Sequence, residues 1–237
     1  AIPVPLYQDA VAEEMEYILS HCGASFAIVG DQEQVDKILE ISDRLKGFKD
    51  IVFVDPKGLR KYDKKNLHSI ADILEIGSGD SAELDKELKR RVEKVIGDTT
   101  CVLLYTSGTT GKSKGVVQTH RAIIGASGGA NQHDSWTHDD YLLSYLPMAW
   151  VGDFMISVAQ GMGAGACINC PEGPETMQVD LREIGPSIFF GPPPLWERLK
   201  TSVFIRIEDA AFFKKAAFNY FMAHAEKVGR DILEKRK

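Results

Sequence analysis

The chain has 237 residues, 44% apolar and 26% charged, the balance of a soluble globular protein with material for one large domain or two small lobes. Lys and Arg number 28 against 34 Asp and Glu, a net charge of −6, so no global basic field exists to hold nucleic acid or an anionic membrane. The longest apolar-looking run, "VGDFMISVAQGMGAGACI", is broken by Asp153 and repeated glycines and is unsuited to span a bilayer.

The opening "AIPVPLYQDA" lacks the basic start and apolar core of a signal peptide, and the expectation is a cytoplasmic protein. Residues 9–22, "DAVAEEMEYILSHC", place Val11, Met15, Ile18 and Cys22 on one helical face, with Gly23 as the stop. "SFAIVG" follows as a short buried strand. Asp31 opens a second helix in capping-box style with Gln34, turning Val35, Ile38, Leu39 and Leu45 inward. "IVFV" at 51–54 is the next strand, closed by an Asp-Pro-Lys-Gly turn. Residues 80–96 form an amphipathic helix carrying Leu84, Leu88, Val92 and Val95, and strand 101–105 then leads into a glycine loop. Beyond the loop, Thr119 caps a helix. "YLLSYLP" reads as a strand, "WVGDFMISVAQGMG" as a helix, and "ACINC" and "SIFFG" as strands. Three prolines at 192–194 precede helices carrying Trp196 and the aromatic-rich "AAFFKKAAFNYFMAHA". At helical spacing, the aromatic stripe at 212–221 is read first as ordinary core and second as a membrane- or lipid-facing surface.

This alternation describes a layered α/β sandwich with largely parallel sheets. The polar, turn-rich "NQHDSWTHDD" at 131–140 sets the expected boundary between a first α/β lobe over 1–137 and part of a second over 138–237. Among Cys22, Cys101, Cys167 and Cys170, the Cys167-x-x-Cys170 pair has the spacing of half a metal or redox site, but nothing nearby completes it. The pair is read as two small buried residues at a strand end, and no metal ligand set is assigned.

The chemistry sits in "LLYTSGTTGKSKGVVQTH", residues 103–120. Gly111-Lys112-Ser113 fits the second half of the G-x-x-x-x-G-K-[ST] phosphate loop, but the first glycine would fall at Thr106. That motif also runs straight into a helix, whereas Gly115-Val116-Val117 reads as another strand. A strand–loop–strand is still suited to phosphate. Glycines 108, 111 and 115 permit positive φ, so backbone N–H groups can converge on an anion. Thr106, Ser107, Thr109 and Thr110 add short donors, and Lys112 and Lys114 add charge.

The segment "YTSGTTGKSKGVVQTH" resembles the phosphate-binding signature of the AMP-forming acyl-CoA synthetase (adenylate-forming) superfamily, [ST]-S-G-[ST]-T-G-x-P-K-G-V, matching at 106–112 and 114–116 with Ser113 in place of proline. "DAVAEEMEYILSHCGASFAIVGDQEQVDKI" resembles the long-chain fatty acid branch, in which E-E-x-x-Y-I-L-x-H-S-G-A is typical. "YLPMAWVGD" is similar to a segment that usually reads L-P-L-x-H, with Trp150 replacing His. "FFGPPPLWERL" is similar to x-V-P-R-V-W-E-K, with Pro194 where Arg is common.

The resemblance implies a ligase that activates a long-chain fatty acid as acyl-adenylate and passes it to coenzyme A, with ATP, Mg²⁺ and coenzyme A as cofactors and substrates. It implies Thr106, Ser107, Gly108, Thr109, Thr110 and Gly111 as the cradle for the β- and γ-phosphates, Lys114 as its charge ahead of Lys112, and Trp150 as either a wall of the acyl pocket or a packing residue. The family's Y-G-x-T-E segment, hinge aspartate and C-terminal catalytic lysine have no counterpart here, so the expectation is a fragment of the large N-terminal domain without turnover of its own, and no catalytic residue is assigned. Peripheral membrane contact remains compatible with the sequence. Two rival readings are a kinase or NTPase with a degenerate phosphate loop and a non-catalytic, nucleotide-binding remnant of the synthetase fold.

Overall fold

Helix caps and apolar spacing shape the first 60 residues of the chain. The computed structural model describes residues 1–62, 65–79, 81–106 and 111–235. Helix α1 (Ala12–Cys22) ends at Gly23, whose φ of 63° turns the chain so that the Ala24 N–H reaches the Leu19 carbonyl, while the Gly23 N–H bonds to the Ser20 carbonyl. Strand β1 (Phe26–Val29) leads to α2 (Gln32–Ser42), where the Asp31 carboxylate accepts the Gln34 N–H as an N-cap. Strands β2 (Asp50–Phe53) and β3 (Leu67–Ser69) complete a parallel sheet of order β1-β2-β3, with a 3₁₀ turn at Leu59–Lys61 between them. Met15 and Leu19 from α1, Val35, Ile38 and Ile41 from α2, and Ile51 and Phe53 from β2 form the core of this layer.

Helices α3 (Ile70–Gly79) and α4 (Ser81–Glu93) follow. Strands β4 (Thr100–Thr106) and β5 (Lys114–Thr119) then pair antiparallel, and α5 (His120–Asp134) starts at the Thr119 cap. Strand β6 (Tyr141–Leu143) pairs in parallel with β7 (Cys167–Asn169). Between them lie α6 (Val151–Asp153), a π-helical segment Phe154–Gly161 and α7 (Met162–Ala164). Helix α8 (Met177–Ile184) is followed by an isolated parallel bridge of Ile188 to Leu142. Helices α9 (Pro193–Glu208) and α10 (Phe212–Lys235) end the chain. The layered α/β class expected from sequence is observed, with two small parallel sheets and one antiparallel hairpin. No helix among the described residues is long and apolar enough to cross a membrane.

Two compact units are present, Ala1–Ile188 and Phe189–Lys237. Within the first, α5 is tied to the π-helical segment. Asn131 Nδ2 donates to the Gln160 carbonyl at 3.1 Å, and Gln160 Nε2 donates to Asp134 at 3.0 Å. Within the second unit, Phe204 of α9 meets Phe218 of α10 edge-on with ring centroids 5.5 Å apart.

Several expectations are corrected. Val11 is exposed, and Ala12 and Leu19 join Met15 and Ile18 on the buried face of α1. Leu39 is also exposed, while Ile41 is fully buried. The apolar stripe Leu84, Leu88, Val92 and Val95 is exposed, as are Phe212, Phe213, Tyr220 and Phe221, so the stripe at 212–221 is not core. Helical periodicity defines a face, but burial requires a second layer to cover it. Cys167 and Cys170 are exposed rather than buried. "SIFFG" contributes one bridge instead of a strand.

The assignment of the α2 face is open to direct measurement. Ile41→Ala is expected to lower the unfolding free energy by about 3 kcal/mol, and Leu39→Ala by less than about 0.5 kcal/mol, in urea titrations followed by tryptophan fluorescence.

Candidate functional site

Alternating side chains make β4 half-buried. Val102 and Leu104 point into the core, and Tyr105 is largely buried beside them. The ladder with β5 runs from Thr100 opposite Thr119 to Thr106 opposite Lys114, with one irregularity between Thr100 and Val102. The last rung therefore sets Thr106 and Lys114, both exposed, face to face at the two ends of the loop. The chain leaves the loop as a strand, in keeping with the sequence reading and against a P-loop NTPase, whose phosphate loop opens a helix.

Ser107, Gly108, Thr109 and Thr110 lie outside the described residues. Gly111 has φ 121°, in the left-handed half of the map that favours glycine. Gly115 does not need positive φ. Its constraint is space, since a Cβ there would lie 3.1 Å from Tyr105 Cζ. Lys114 has no ion pair among the described residues, whereas the Lys112 ammonium sits 5.1 Å from the centroid of the Tyr17 ring.

Sequence reasoning did not single out the residues that hold this hairpin. The Tyr17 hydroxyl donates to the Ser113 carbonyl at 3.0 Å. His21 Nδ1 and the Tyr105 hydroxyl share a hydrogen bond of 2.6 Å. Burial pushes the Tyr105 phenol above its ordinary pKa, which keeps it protonated. The available signal was the i, i+4 spacing of Tyr17 and His21, which puts both on one strip of α1. His120 is the first residue of α5; its backbone N–H donates to the Thr99 carbonyl.

Trp150 precedes α6 and is half-buried, its indole folded over Gly152. A Cβ on Gly152 would fall 2.3 Å from the ring. An apolar cleft of about 1160 Å³ runs between the N-terminal segment, α1 and β1, with Met148, Phe154 and Val158 at one side. Trp150 is not among its lining residues. Beneath Trp150, Asp153 is buried and accepts hydrogen bonds from Ser144 Oγ at 2.8 Å and Ser157 Oγ at 3.3 Å. Burial raises its pKa, with the two hydroxyls pulling the other way. Burial and then the charge of Asp153 push Tyr145 up to about 12.

Among the described residues no group of three or more His, Cys, Asp or Glu converges to hold a metal. Residues 103–120 contain hydroxyl, amide and ammonium groups but no carboxylate. A magnesium ion at this loop fits only as a companion of nucleotide phosphates, a common arrangement for a cation that keeps its waters and leans on substrate oxygens.

Residues 1–235 match the family described as AMP-binding enzyme. The chain belongs to this family. It is 30% identical over 227 residues to long chain acyl-CoA synthetase 5 of Arabidopsis thaliana, covering 91% of this chain and 33% of that protein. It is 28% identical over 205 residues to the long-chain-fatty-acid–CoA ligase ACSBG2 of Xenopus laevis, covering 83% of this chain and 27% of that protein. The chain thus spans about a third of the length of these curated relatives. Its fold is similar to that of a long-chain-fatty-acid-CoA ligase from Archaeoglobus fulgidus, with a TM-score of 0.65, 19% identity, and coverage of 89% of this chain and 38% of that one. ATP-bound MatB from Rhodopseudomonas palustris gives a TM-score of 0.61 at 22% identity, covering 84% of this chain and 35% of that one. These structural likenesses establish the AMP-binding ligase fold.

The buried carboxylate gives a pH test. A raised pKa in the folded state means that Asp153 favours folding at low pH and that this contribution is lost as pH rises through the folded-state value. Asp153→Asn removes the charge while keeping donor and acceptor atoms near both serines. It is expected to be more stable than the wild type at pH 7, with the difference shrinking as pH falls towards 4, in denaturant melts across that range.

Proposed function

We propose that the protein carrying this chain is an ATP-dependent long-chain fatty acid–CoA ligase. The observation that carries the reading is the antiparallel hairpin whose last rung sets Thr106 opposite Lys114, with the family's loop between them. Kinship with long-chain acyl-CoA synthetase 5 and the long-chain-fatty-acid–CoA ligase ACSBG2 supports the long-chain substrate and the coenzyme A acceptor.

In the first step a carboxylate oxygen attacks the α-phosphorus of ATP. The bond from that phosphorus to the bridging oxygen breaks, and pyrophosphate leaves with the electron pair. In the second step the coenzyme A sulfur, having lost its proton, attacks the acyl carbon, and AMP departs. The obstacle in the first step is charge, because an anion must approach a polyanion. Thr106, Ser107, Gly108, Thr109, Thr110 and Gly111 supply short donors to the β- and γ-phosphates. Lys114 supplies a positive charge that no described residue pairs. A preorganised donor of this kind lowers such barriers by roughly 3 kcal/mol. Magnesium bound with the triphosphate would supply further charge neutralisation.

ATP–pyrophosphate exchange in the full-length protein tests the reading, with exchange expected in the presence of long-chain fatty acids. Thr109→Ala or Lys114→Ala should lower the adenylation rate tenfold or more, about 1.4 kcal/mol. Nucleotide binding with no exchange for any carboxylate would instead identify a non-catalytic remnant. In this reading Trp150 walls the acyl side. Trp150→Ala should raise KM for the fatty acid by about tenfold and leave KM for ATP unchanged, as read from initial rates with each substrate varied.

A further inference from the structure

Both arms of the hairpin are fastened to one strip of α1. On the incoming strand, Tyr105 directly precedes Thr106, and its hydroxyl is bonded to His21 at 2.6 Å. On the outgoing strand, Ser113 directly precedes Lys114, and its carbonyl accepts from the Tyr17 hydroxyl at 3.0 Å. These attachments reach across 84 and 96 residues of chain. The two anchors also support each other. The Tyr17 and His21 rings stack with centroids 5.6 Å apart, and His21 meets Tyr105 edge-on at 5.7 Å. Tyr105 in turn lies against Gly115, its partner across the ladder. The Thr106–Lys114 rung is therefore flanked on each arm by a residue tied to α1.

We propose that Tyr17 and His21 are positioning residues that hold the mouth of the nucleotide loop, with Tyr17 the principal anchor because it restrains the outgoing arm at Ser113. The inference rests on the reading of the loop as a triphosphate cradle. The restraint falls where it has most effect. Ser113 lacks the ring that would fix φ at that point, and the Tyr17 bond to its carbonyl limits the same backbone from outside. Tyr17 has a second role. Its ring holds the Lys112 ammonium at 5.1 Å, a contact weak enough to be surrendered to an arriving phosphate. Tyr17 thus preorganises both the backbone and one charge of the loop, which lowers the ordering cost of binding an anion.

Tyr17→Phe separates these roles, since it removes the hydroxyl and keeps the ring. In the full-length protein it should raise KM for ATP about fivefold, the size of one net hydrogen bond. KM for the fatty acid and the melting temperature should stay at wild-type values. Adding Ser113→Pro to Tyr17→Phe should recover most of the loss, because proline restores a restraint on the same backbone. Wild-type KM for ATP in Tyr17→Phe, or equal rises in both KM values, would overturn the proposal. Hydrogen exchange over residues 105–116 supplies a readout independent of catalysis. Tyr17→Phe should exchange at least about threefold faster there and nowhere else. If the wild type proves inactive with every carboxylate, the ligase reading fails, and unchanged exchange over 105–116 would then remove the clamp separately.

Discussion

The antiparallel pairing of β4 with β5 is the constraint on which the rest of the molecule depends. Six rungs, from Thr100–Thr119 to Thr106–Lys114, set the two ends of the loop opposite each other. The pairing buries Val102 and Leu104, so the hairpin is anchored by core packing as well as backbone hydrogen bonds. It also dictates what the loop can do. A loop that ends in a helix meets phosphate with a helix dipole, whereas one held between strands must rely on its own amides, hydroxyls and lysines.

Helix α1 joins this hairpin to the core. Met15 and Leu19 pack into the layer formed with α2 and β2, while Tyr17 and His21 on a neighbouring strip reach the hairpin. One helix is therefore seated by hydrophobic burial and used for polar positioning. The division is economical because burial fixes the helix rotation, and the rotation then aims the two polar side chains. A slip of one residue in α1 would turn Tyr17 away by about 100°.

Farther along the chain, polar groups secure the middle of the first unit. The eight-residue π-helical segment is bonded to α5 through Asn131, Gln160 and Asp134. Its Gly161 lies so close to the Ile156 carbonyl and to Ile168 that a Cβ would stand 3.2 Å from the former. The buried Asp153 is satisfied by two serine hydroxyls from different parts of the chain. The pairing of Asp153 with both hydroxyls specifies one arrangement, since losing either would leave a buried acceptor short of a partner.

Local chemistry was enough to reveal α1, α2, the Asp31 and Thr119 caps, the Gly23 stop and the strand on each side of the loop, because each depends on residues within a few positions of one another, but it missed β3 and α3 and made a strand of SIFFG, which gives one bridge. Motif spacing was enough to reveal the family. Burial was less accessible: Leu39 and the stripes on α4 and α10 carry the right period yet face outward, while Ile41 is inside. The need for glycine at 115 was read as backbone freedom and proved to be the space taken by the Tyr105 ring. Spacing alone determined where the loop sits in the chain and its kinship. Only the tertiary structure decided what holds that loop, because Tyr17 and Ser113 are 96 residues apart, and nothing local records that folding brings a hydroxyl within 3.0 Å of that carbonyl.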